Sequence, residues 1–470
     1  MLFNSFEFLL FFPIVCAVYY ALRNNKWRVP FLLAASYLFY MNWKPAYALL
    51  ILTSTIITYS CGLLLERNHC QRRRKGLLAT GIVLNLAILF FFKYFNFLSE
   101  SVFWLLDCAG LRFEVPRMDV LLPVGISFYT FQALGYIIDV YRSTIKAERN
   151  FVNYALFVSF FPQLVAGPIE RAANLLPQFR EEHRFDRAQV VEGLRMMLWG
   201  YFMKVCVADV AAEYVDEVYG NIALYNGTTL IIATLLFAIQ IYCDFGGYSL
   251  IARGAARVMG FRLMENFRRP YLAASFKEFW KRWHISLSTW FMDYLYIPLG
   301  GNRTSLPRHL FNLMVTFLVS GLWHGADWSF MLWGAWHGVF IILDTLLRRA
   351  GLIGKNTNGI SKAASTVAVF AIVALGWIFF RASDIGVAMT VFGKIITDHG
   401  TPWLGVAKLP LLAAAIAVLA AKDLADEYLT NRRYGMHSKR WWVRYACYYL
   451  LLFWTLTLLS GRQAFIYFQF

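Results

Sequence analysis

Long apolar blocks recur along this chain, and they restrict its fold more strongly than any other feature of the sequence. An α-helix needs roughly 20 predominantly apolar residues to cross a bilayer. Nine blocks reach or approach that length, near 5–22, 28–43, 45–65, 76–98, 121–138, 228–243, 328–347, 363–381 and 441–460. Shorter apolar runs lie around 151–166, 189–208, 310–323 and 408–421. The sequence therefore predicts an all-α, polytopic integral membrane protein with about 11–13 transmembrane helices.

The composition excludes an ordinary soluble domain. Hydrophobic residues make up 59% of the chain and charged residues only 16%, whereas soluble domains contain about 45–50% and about 25%. Asn4, Glu7 and the lack of early Lys or Arg argue against a cleavable signal peptide, so the first block is expected to be a retained span. We predict one integral-membrane domain over 1–470, with N-terminal spans in 1–150, a core in 151–350 and C-terminal spans in 351–470.

The positive charge follows the membrane topology. The net charge is +17, and basic clusters at 23–28, 67–75 and 142–149 follow the first, third and fifth blocks. The loops at 41–46 and 99–120 are poorer in Lys and Arg, so the positive-inside rule places the N-terminus outside and the clusters in the cytoplasm. Basic residues at span ends indicate contact with membrane lipids and argue against nucleic-acid binding.

The seven cysteines are scattered and form no CxxC pair. This spacing predicts neither a zinc site nor a disulfide framework, and we expect no bound metal.

Two regions interrupt the apolar pattern. Segment 151–190 carries Pro162 and then Gly167-Pro168, which predicts a kinked or re-entrant helix; such breaks are tolerated at membrane depth where they are buried in protein or line a wet cavity. Asp244 stands just before the double glycine Gly246-Gly247. Its carboxylate is expected either to contact a substrate or to cap a following helix.

Residues 279–294 read as one amphipathic helix with a polar and an aromatic stripe. His284 flanks the aromatic stripe, with Ser288 one turn further on. An interfacial helix, with charge toward water and aromatic rings toward lipid, is the alternative interpretation. The run ends at 298–303, a tight turn whose backbone amides, together with Arg303, are candidates to hold an anion.

His324 lies in the stretch Trp323–Trp328, where most neighbours are apolar or aromatic. An ionisable group in a membrane segment is a functional-site candidate, although a buried histidine that only bonds a carbonyl is the alternative. Gly325 suits the end of one helix and Asp327 the N-cap of the next, so His324 is expected at a helix junction. His337 falls about 220° around a straight helix from His324 and need not share its site.

With these residues in place, the chain resembles the membrane-bound O-acyltransferase (MBOAT) family, and within it the alginate O-acetyltransferase branch. The branch pattern FW-x-RWHISLSTW-x-x-DYLYIPLGGNR is met almost without gaps from Phe279 to Arg303. Similar stretches occur at 122–128, 167–169, 242–248 and 465–470.

The resemblance implies a ring of helices around a central tunnel that crosses the membrane. His324 matches the family's catalytic histidine and His284 its second, donor-side histidine. A histidine suits acyl transfer to a hydroxyl because the reaction needs a general base. The candidate donor-binding residues are Lys281, Arg282, Asn302 and Arg303; the candidate tunnel or acceptor residues are Asp244, Trp323, Asp327, Trp328 and His337.

The expected activity is that of an O-acyltransferase in the bacterial inner membrane. It would move an acyl group, acetyl in the first instance, from a cytoplasmic thioester to an extracytoplasmic polysaccharide, as in the biosynthesis of alginate or another exopolysaccharide. The donor would be acetyl-CoA or an acyl carrier protein, with no tightly bound cofactor, and an SGNH-like transferase would be the partner. The alternatives are a D-alanyl or lipid O-acyltransferase and a secondary transporter; transporters usually show internal symmetry, which this sequence lacks.

Overall fold

The computed structural model describes residues 1–111, 113–118, 122–165, 167–353, 359–429 and 434–459, and the regular structure within them is helical. The α-helices are α1 Phe6–Ala21, α2 Asn25–Met41, α3 Tyr47–Arg67, α4 Gln71–Leu89, α5 Phe95–Cys108, α6 Ile126–Tyr141, α7 Phe151–Ser159, α8 Phe161–Leu164, α9 Ala172–Gln178, α10 Arg187–Tyr201, α11 Asp209–Gly220, α12 Gly227–Val258, α13 Phe276–Arg282, α14 Ile285–Phe291, α15 Leu306–His324, α16 Trp328–Arg349, α17 Gly359–Arg381, α18 Ile385–Thr397, α19 Leu409–Tyr428 and α20 Trp441–Leu458. Three π-helical segments lie at Phe90–Tyr94, Phe202–Ala208 and Met292–Tyr296.

The all-α fold predicted from the apolar blocks is confirmed. Among the described residues, five helical segments are long and apolar enough to cross a membrane: Tyr47–Arg67, Gln71–Cys108, Gly227–Val258, Trp328–Arg349 and Gly359–Arg381. Shorter apolar helices lie at Phe6–Ala21, Phe151–Leu164 and Ile385–Thr397. The chain is thus a multi-pass membrane protein, while the total of 11–13 spans stays a prediction.

The chain forms two compact units. One consists of Met1–Gly193 with Ala252–Met264, and the other of Leu194–Ile251 with Glu265–Phe470. All the candidate site residues lie in the second unit. The predicted single domain with boundaries near 150 and 350 stays a prediction, and the similar stretch at 465–470 lies outside the described residues.

In the first unit, the break predicted near Pro162 is confirmed. Helix α7 ends at Ser159, and α8 begins at Phe161 with the proline in its first turn, where no backbone N–H is needed. The amides of Gln132 and Gln163 donate to the Phe157 carbonyl at 2.5 and 2.7 Å. These bonds satisfy a backbone group that the interrupted helix leaves without its regular partner.

In the second unit, α12 continues through Gly246-Gly247 instead of ending there. A Cβ on Gly247 would lie 2.7 Å from the Gly200 carbonyl oxygen, and a Cβ on Gly200 would lie 2.6 Å from the Gly247 carbonyl oxygen. Glycine is therefore required at both positions, because small residues allow two helix backbones to approach closely.

This contact predicts different outcomes for two neighbouring substitutions. Gly247→Ala is expected to destabilise the protein by about 1–3 kcal/mol, because backbone atoms must shift to admit the new methyl group. Gly246→Ala meets only the flexible end of Met203 at 3.1 Å, and its better helix propensity offsets that contact. Thermal unfolding of the two variants in one detergent tests the difference; equal melting temperatures would contradict the close approach.

Candidate active site

His324 lies at a helix junction, as the sequence predicted. It is the last residue of α15, and Asp327 caps α16 by accepting a 2.7 Å hydrogen bond from the Ser329 amide. Gly325 has an extended backbone, with φ −152°, so its need for glycine does not come from a left-handed turn. A Cβ there would fall 2.1 Å from the ring of Phe330. The junction is therefore closed by packing, and it holds the His324 side chain at 3% exposure.

The run predicted to be one amphipathic helix is broken at His284. Helix α13 ends at Arg282, α14 begins at Ile285, and His284 between them has a left-handed backbone with φ 41° and ψ 56°. The break arises because the Ile285 amide donates to the Asn266 carbonyl at 2.9 Å and the Arg268 amide to the Arg282 carbonyl at 2.9 Å. A left-handed non-glycine residue costs on the order of 1–3 kcal/mol, and such strain clusters at functional sites.

The two histidines are brought together in the interior. Their ring centroids lie 6.2 Å apart, and Trp323 touches both, at 5.8 Å from His284 and 4.9 Å from His324. Phe245 packs edge-on against His284 at 4.6 Å, which fixes that ring from the α12 side. His284 is only 1% exposed. Sequence position alone did not indicate that Phe245 belongs to this site.

His337 adjoins the same group, although its helical position did not require this. The Trp333 ring lies 4.9 Å from His324 and 4.9 Å from His337, so one indole separates the two imidazoles. The Trp280 ring packs edge-on against the His337 ring, with centroids 5.0 Å apart. Within the described part of the chain, neither ring nitrogen of His337 has a hydrogen-bond partner. Buried polar groups are nearly always bonded, so these nitrogens depart from the usual pattern of a protein interior.

The candidate donor-binding residues on α13 differ in whether their side chains are exposed or already engaged in ion pairs. Lys281 is exposed, whereas Arg282 donates to Glu278 at 2.6 Å and to Glu427 at 2.8 and 3.0 Å. The hydrogen bonds from Arg282 and Arg269 hold the pKa of Glu427, which lies outside the five candidate spans, below its usual value. Arg282 thus anchors α13, and its contact with a donor stays a prediction.

The turn at 298–303 requires glycine, as its sequence indicated. Gly300 and Gly301 have φ values of 111° and 57°. However, the amides of Gly300, Gly301 and Arg303 donate to the carbonyls of Ile297, Tyr296 and Gly300. These amides are therefore used by the turn itself, which leaves the exposed side chains of Asn302 and Arg303 as the groups that remain for an anion.

Asp244 is not a helix cap, so that interpretation was wrong. It lies in the middle of α12 and forms an ion pair with Lys204 at 2.6 Å. Lys204 also pairs with Asp209 at 2.7 Å, and its side chain is only 1% exposed. The lysine lies on the π-helical segment Phe202–Ala208, a kind of segment that often occurs at functional sites. Lys204 was not among the site residues predicted from the sequence.

The remaining tunnel candidates differ in exposure. Trp323 is buried, Asp327 serves as the α16 cap, and Trp328 is 52% exposed. The buried histidines and their tryptophan neighbours thus form an interior site that is shielded from bulk water. Such a site suits the transfer of a group that water would otherwise hydrolyse.

Comparison with known proteins identifies the class to which this site belongs. The sequence profile of the membrane-bound O-acyltransferase family matches residues 143–351, which include both His284 and His324. Two relatives at 40% identity extend the match over 90% of this chain. The chain belongs to the membrane-bound O-acyltransferase family, and it is an O-acyltransferase.

The individual relatives point to the alginate O-acetyltransferase-like branch. A probable alginate O-acetylase of Pseudomonas putida is 40% identical over 433 residues, covering 90% of this chain and 87% of the relative. The peptidoglycan O-acetyltransferase of Helicobacter pylori is 30% identical over 433 residues, covering 85% and 80%. The teichoic acid D-alanyltransferase of Streptococcus thermophilus is 28% identical over 251 residues, covering 50% and 59%. The resemblance inferred from Phe279–Arg303 is thus confirmed.

Proposed function

We propose that this chain moves an acetyl group from a cytoplasmic thioester across the bacterial inner membrane for O-acetylation of an extracytoplasmic polysaccharide. The observation that carries the proposal is the buried pair His284 and His324, with ring centroids 6.2 Å apart. Two relatives are named for O-acetylation of alginate and of peptidoglycan, both polymers with sugar hydroxyls. The D-alanyltransferase match covers only half of this chain, which favours acetyl over D-alanyl transfer.

In the proposed reaction, His324 acts as the general base. Its imidazole takes the proton of the attacking hydroxyl while the oxygen bonds to the thioester carbonyl carbon. The carbon–sulfur bond then breaks, and the proton passes to the leaving sulfur. His284 lies on the donor side and orients the thioester. The hydroxyl belongs either to the polysaccharide or to an SGNH-like partner transferase that carries the acetyl group onward.

The donor is acetyl-CoA or an acyl carrier protein, and no tightly bound cofactor takes part. Lys281 is an exposed cation in the last turn of α13 and is a candidate to bind the donor phosphates. Asn302 and Arg303 at the glycine turn are further candidates. The tunnel that the family resemblance implies would then run from these surface groups past His284, Trp323 and His324.

Two measurements test the proposed function. Cells that lack the chain should lose the acetate that mild base releases from their polysaccharide, and a plasmid copy should restore it. The purified protein should consume labelled acetyl thioester but not a D-alanyl carrier thioester. Unchanged polysaccharide acetate, or transfer of the label to lipid, would contradict the proposal.

A separate prediction concerns His284. His284→Ala is expected to weaken binding of a non-hydrolysable acetyl-CoA analogue by about tenfold, which corresponds to about 1.4 kcal/mol. His324→Ala is expected to retain this binding because the base acts only after the donor has bound. His284→Gly provides the matched control, since glycine adopts the left-handed backbone without strain. Isothermal titration of the purified variants measures the binding. If His284→Ala and His284→Gly both bind the acetyl-CoA analogue with wild-type affinity, His284 does not contribute to donor binding.

A further inference from the structure

A groove of about 750 Å³ lies between α19, α20 and the short segment 434–437 of the second unit. One wall is a stripe of small residues on α19, namely Ala414, Val418, Ala421 and Ala425, whose spacing places them on one helix face. The α20 wall includes Leu450 and Phe453, which are 67% and 70% exposed. The groove is therefore mainly apolar and open toward the surroundings of the protein.

The length of the groove matches one leaflet of a bilayer. From Cys447 to Leu458 its α20 wall rises by about 17 Å at 1.5 Å per residue. Half of the hydrocarbon thickness is about 15 Å. Three of the polar lining residues, Lys422, Tyr434 and His437, lie toward the start of α20, whereas Thr457 and the apolar Leu458 line the other end. This polarity is that of a lipid, with a headgroup at one end and acyl chains at the other.

The polar end of the groove has the composition of a membrane interface. Trp441, Trp442 and Tyr445 begin α20 and are 67%, 56% and 46% exposed. Trp and Tyr are enriched at the level of lipid headgroups. Lys439 and Arg440 come directly before them and are exposed. The start of α20 therefore has the composition expected of a helix end at headgroup depth, with cationic side chains beside it.

The carboxylates near this end are already bound by the protein. Asp426 accepts from Lys422 at 2.5 Å and also from the Tyr434 hydroxyl. Glu427 accepts from Arg282 and Arg269. Their negative charge is offset by these donors, so the exposed cations Lys439 and Arg440 set the sign of the potential at the mouth of the groove.

We propose that this groove is a binding site for an anionic phospholipid. Its acyl chain lies on the small-residue face of α19, and its phosphate lies beside Lys439 and Arg440. Basic pockets between membrane helices bind such headgroups. The lipid site takes no part in acyl transfer, so the tests of this proposal do not depend on the proposed function.

The chain part of the site is tested by filling the groove. Ala421→Phe places a ring among the lining residues, and Ala420→Phe places the same ring at an exposed position that does not line the groove. Native mass spectrometry of the full chain, taken from bilayers with equal phosphatidylglycerol and phosphatidylcholine, measures the retained lipid. We expect phosphatidylglycerol to stay bound in wild type and Ala420→Phe and to be lost in Ala421→Phe. Equal loss in both variants, or a change of oligomeric mass only in Ala421→Phe, would overturn the proposal.

The headgroup part is tested by charge. Lys439→Gln combined with Arg440→Gln should reduce the preference for phosphatidylglycerol over phosphatidylcholine by about fivefold for each cation removed. Arg72→Gln combined with Arg73→Gln removes two exposed cations from another basic cluster and should leave the preference unchanged. The proposed site is overturned if the preference for phosphatidylglycerol is unchanged in the Lys439/Arg440 double variant. It is also overturned if the preference falls equally in both double variants, because general charge attraction then explains the bound lipid.

Discussion

His324→Ala is expected to reduce polysaccharide O-acetylation by about 10²–10⁴-fold, the usual contribution of a general base. The protein itself should remain in the membrane, because the aromatic rings of Trp323, Trp333 and Phe380 that enclose His324 also pack on one another or on other rings. The measurement is the acetate content of polysaccharide from cells with equal amounts of protein. Consumption of labelled acetyl thioester by the purified variant provides the second readout.

The control for this result lies on the same helix. His309 is a partly exposed histidine near the start of α15, and His309→Ala should keep wild-type acetate content. His324→Gln, which keeps a polar side chain but no comparable base, should be as inactive as His324→Ala. Wild-type acetate content in His324→Ala at wild-type protein levels would show that His324 is not the base.

Lys204→Met is expected to destabilise the second unit by about 3–5 kcal/mol, since removal of one partner leaves buried charge without compensation. The lysine is held between Asp209 and Asp244 at 2.7 and 2.6 Å, and the side chains of Lys204 and Asp244 are 1% and 3% exposed. The loss should appear as a lower melting temperature and a smaller folded fraction after purification in detergent.

Two companion variants make this prediction specific. Lys408→Met breaks a surface pair with Glu213, whose side chains are 44% and 36% exposed, and should cost less than about 1 kcal/mol. Adding Asp209→Asn and Asp244→Asn to Lys204→Met removes the uncompensated charges and should recover part of the lost stability. Two results would show that uncompensated buried charge does not destabilise the variant. One is a melting temperature of Lys204→Met equal to that of wild type, and the other is no recovery of stability when Asp209→Asn and Asp244→Asn are added.

The helices of this protein were largely predictable because membrane helices are determined by local composition. Most long apolar blocks became helices with bounds close to those predicted, although the helix from block 228–243 continues to Val258, and the Asp327 cap was found where its position before an apolar run indicated. His284 was singled out through the Phe279–Arg303 motif and His324 through the stretch Trp323–Trp328, whereas their separation of 6.2 Å required the structure.

The features that could not be predicted from the sequence depend on partners that are distant along the chain. His284 breaks its helix because Asn266 bonds the following amide, and nothing within a helical turn of His284 reports that bond. Asp244 looked like a cap because a double glycine follows it, but Gly247 serves to admit the Gly200 backbone. Its true partner, Lys204, lies on an earlier segment whose π-helical geometry has no simple sequence signature.

The ion pair of Lys204 and Asp244 also bears on how the protein is made. The ribosome completes Lys204 before it reaches Asp244, which lies within the candidate span Gly227–Val258. A lone carboxylate at the centre of a helix resists insertion into lipid. Because the ammonium group is synthesised first, the carboxylate enters the nascent protein with its counter-charge already present. The charge within this candidate span is thus balanced by a residue that precedes the span in the chain.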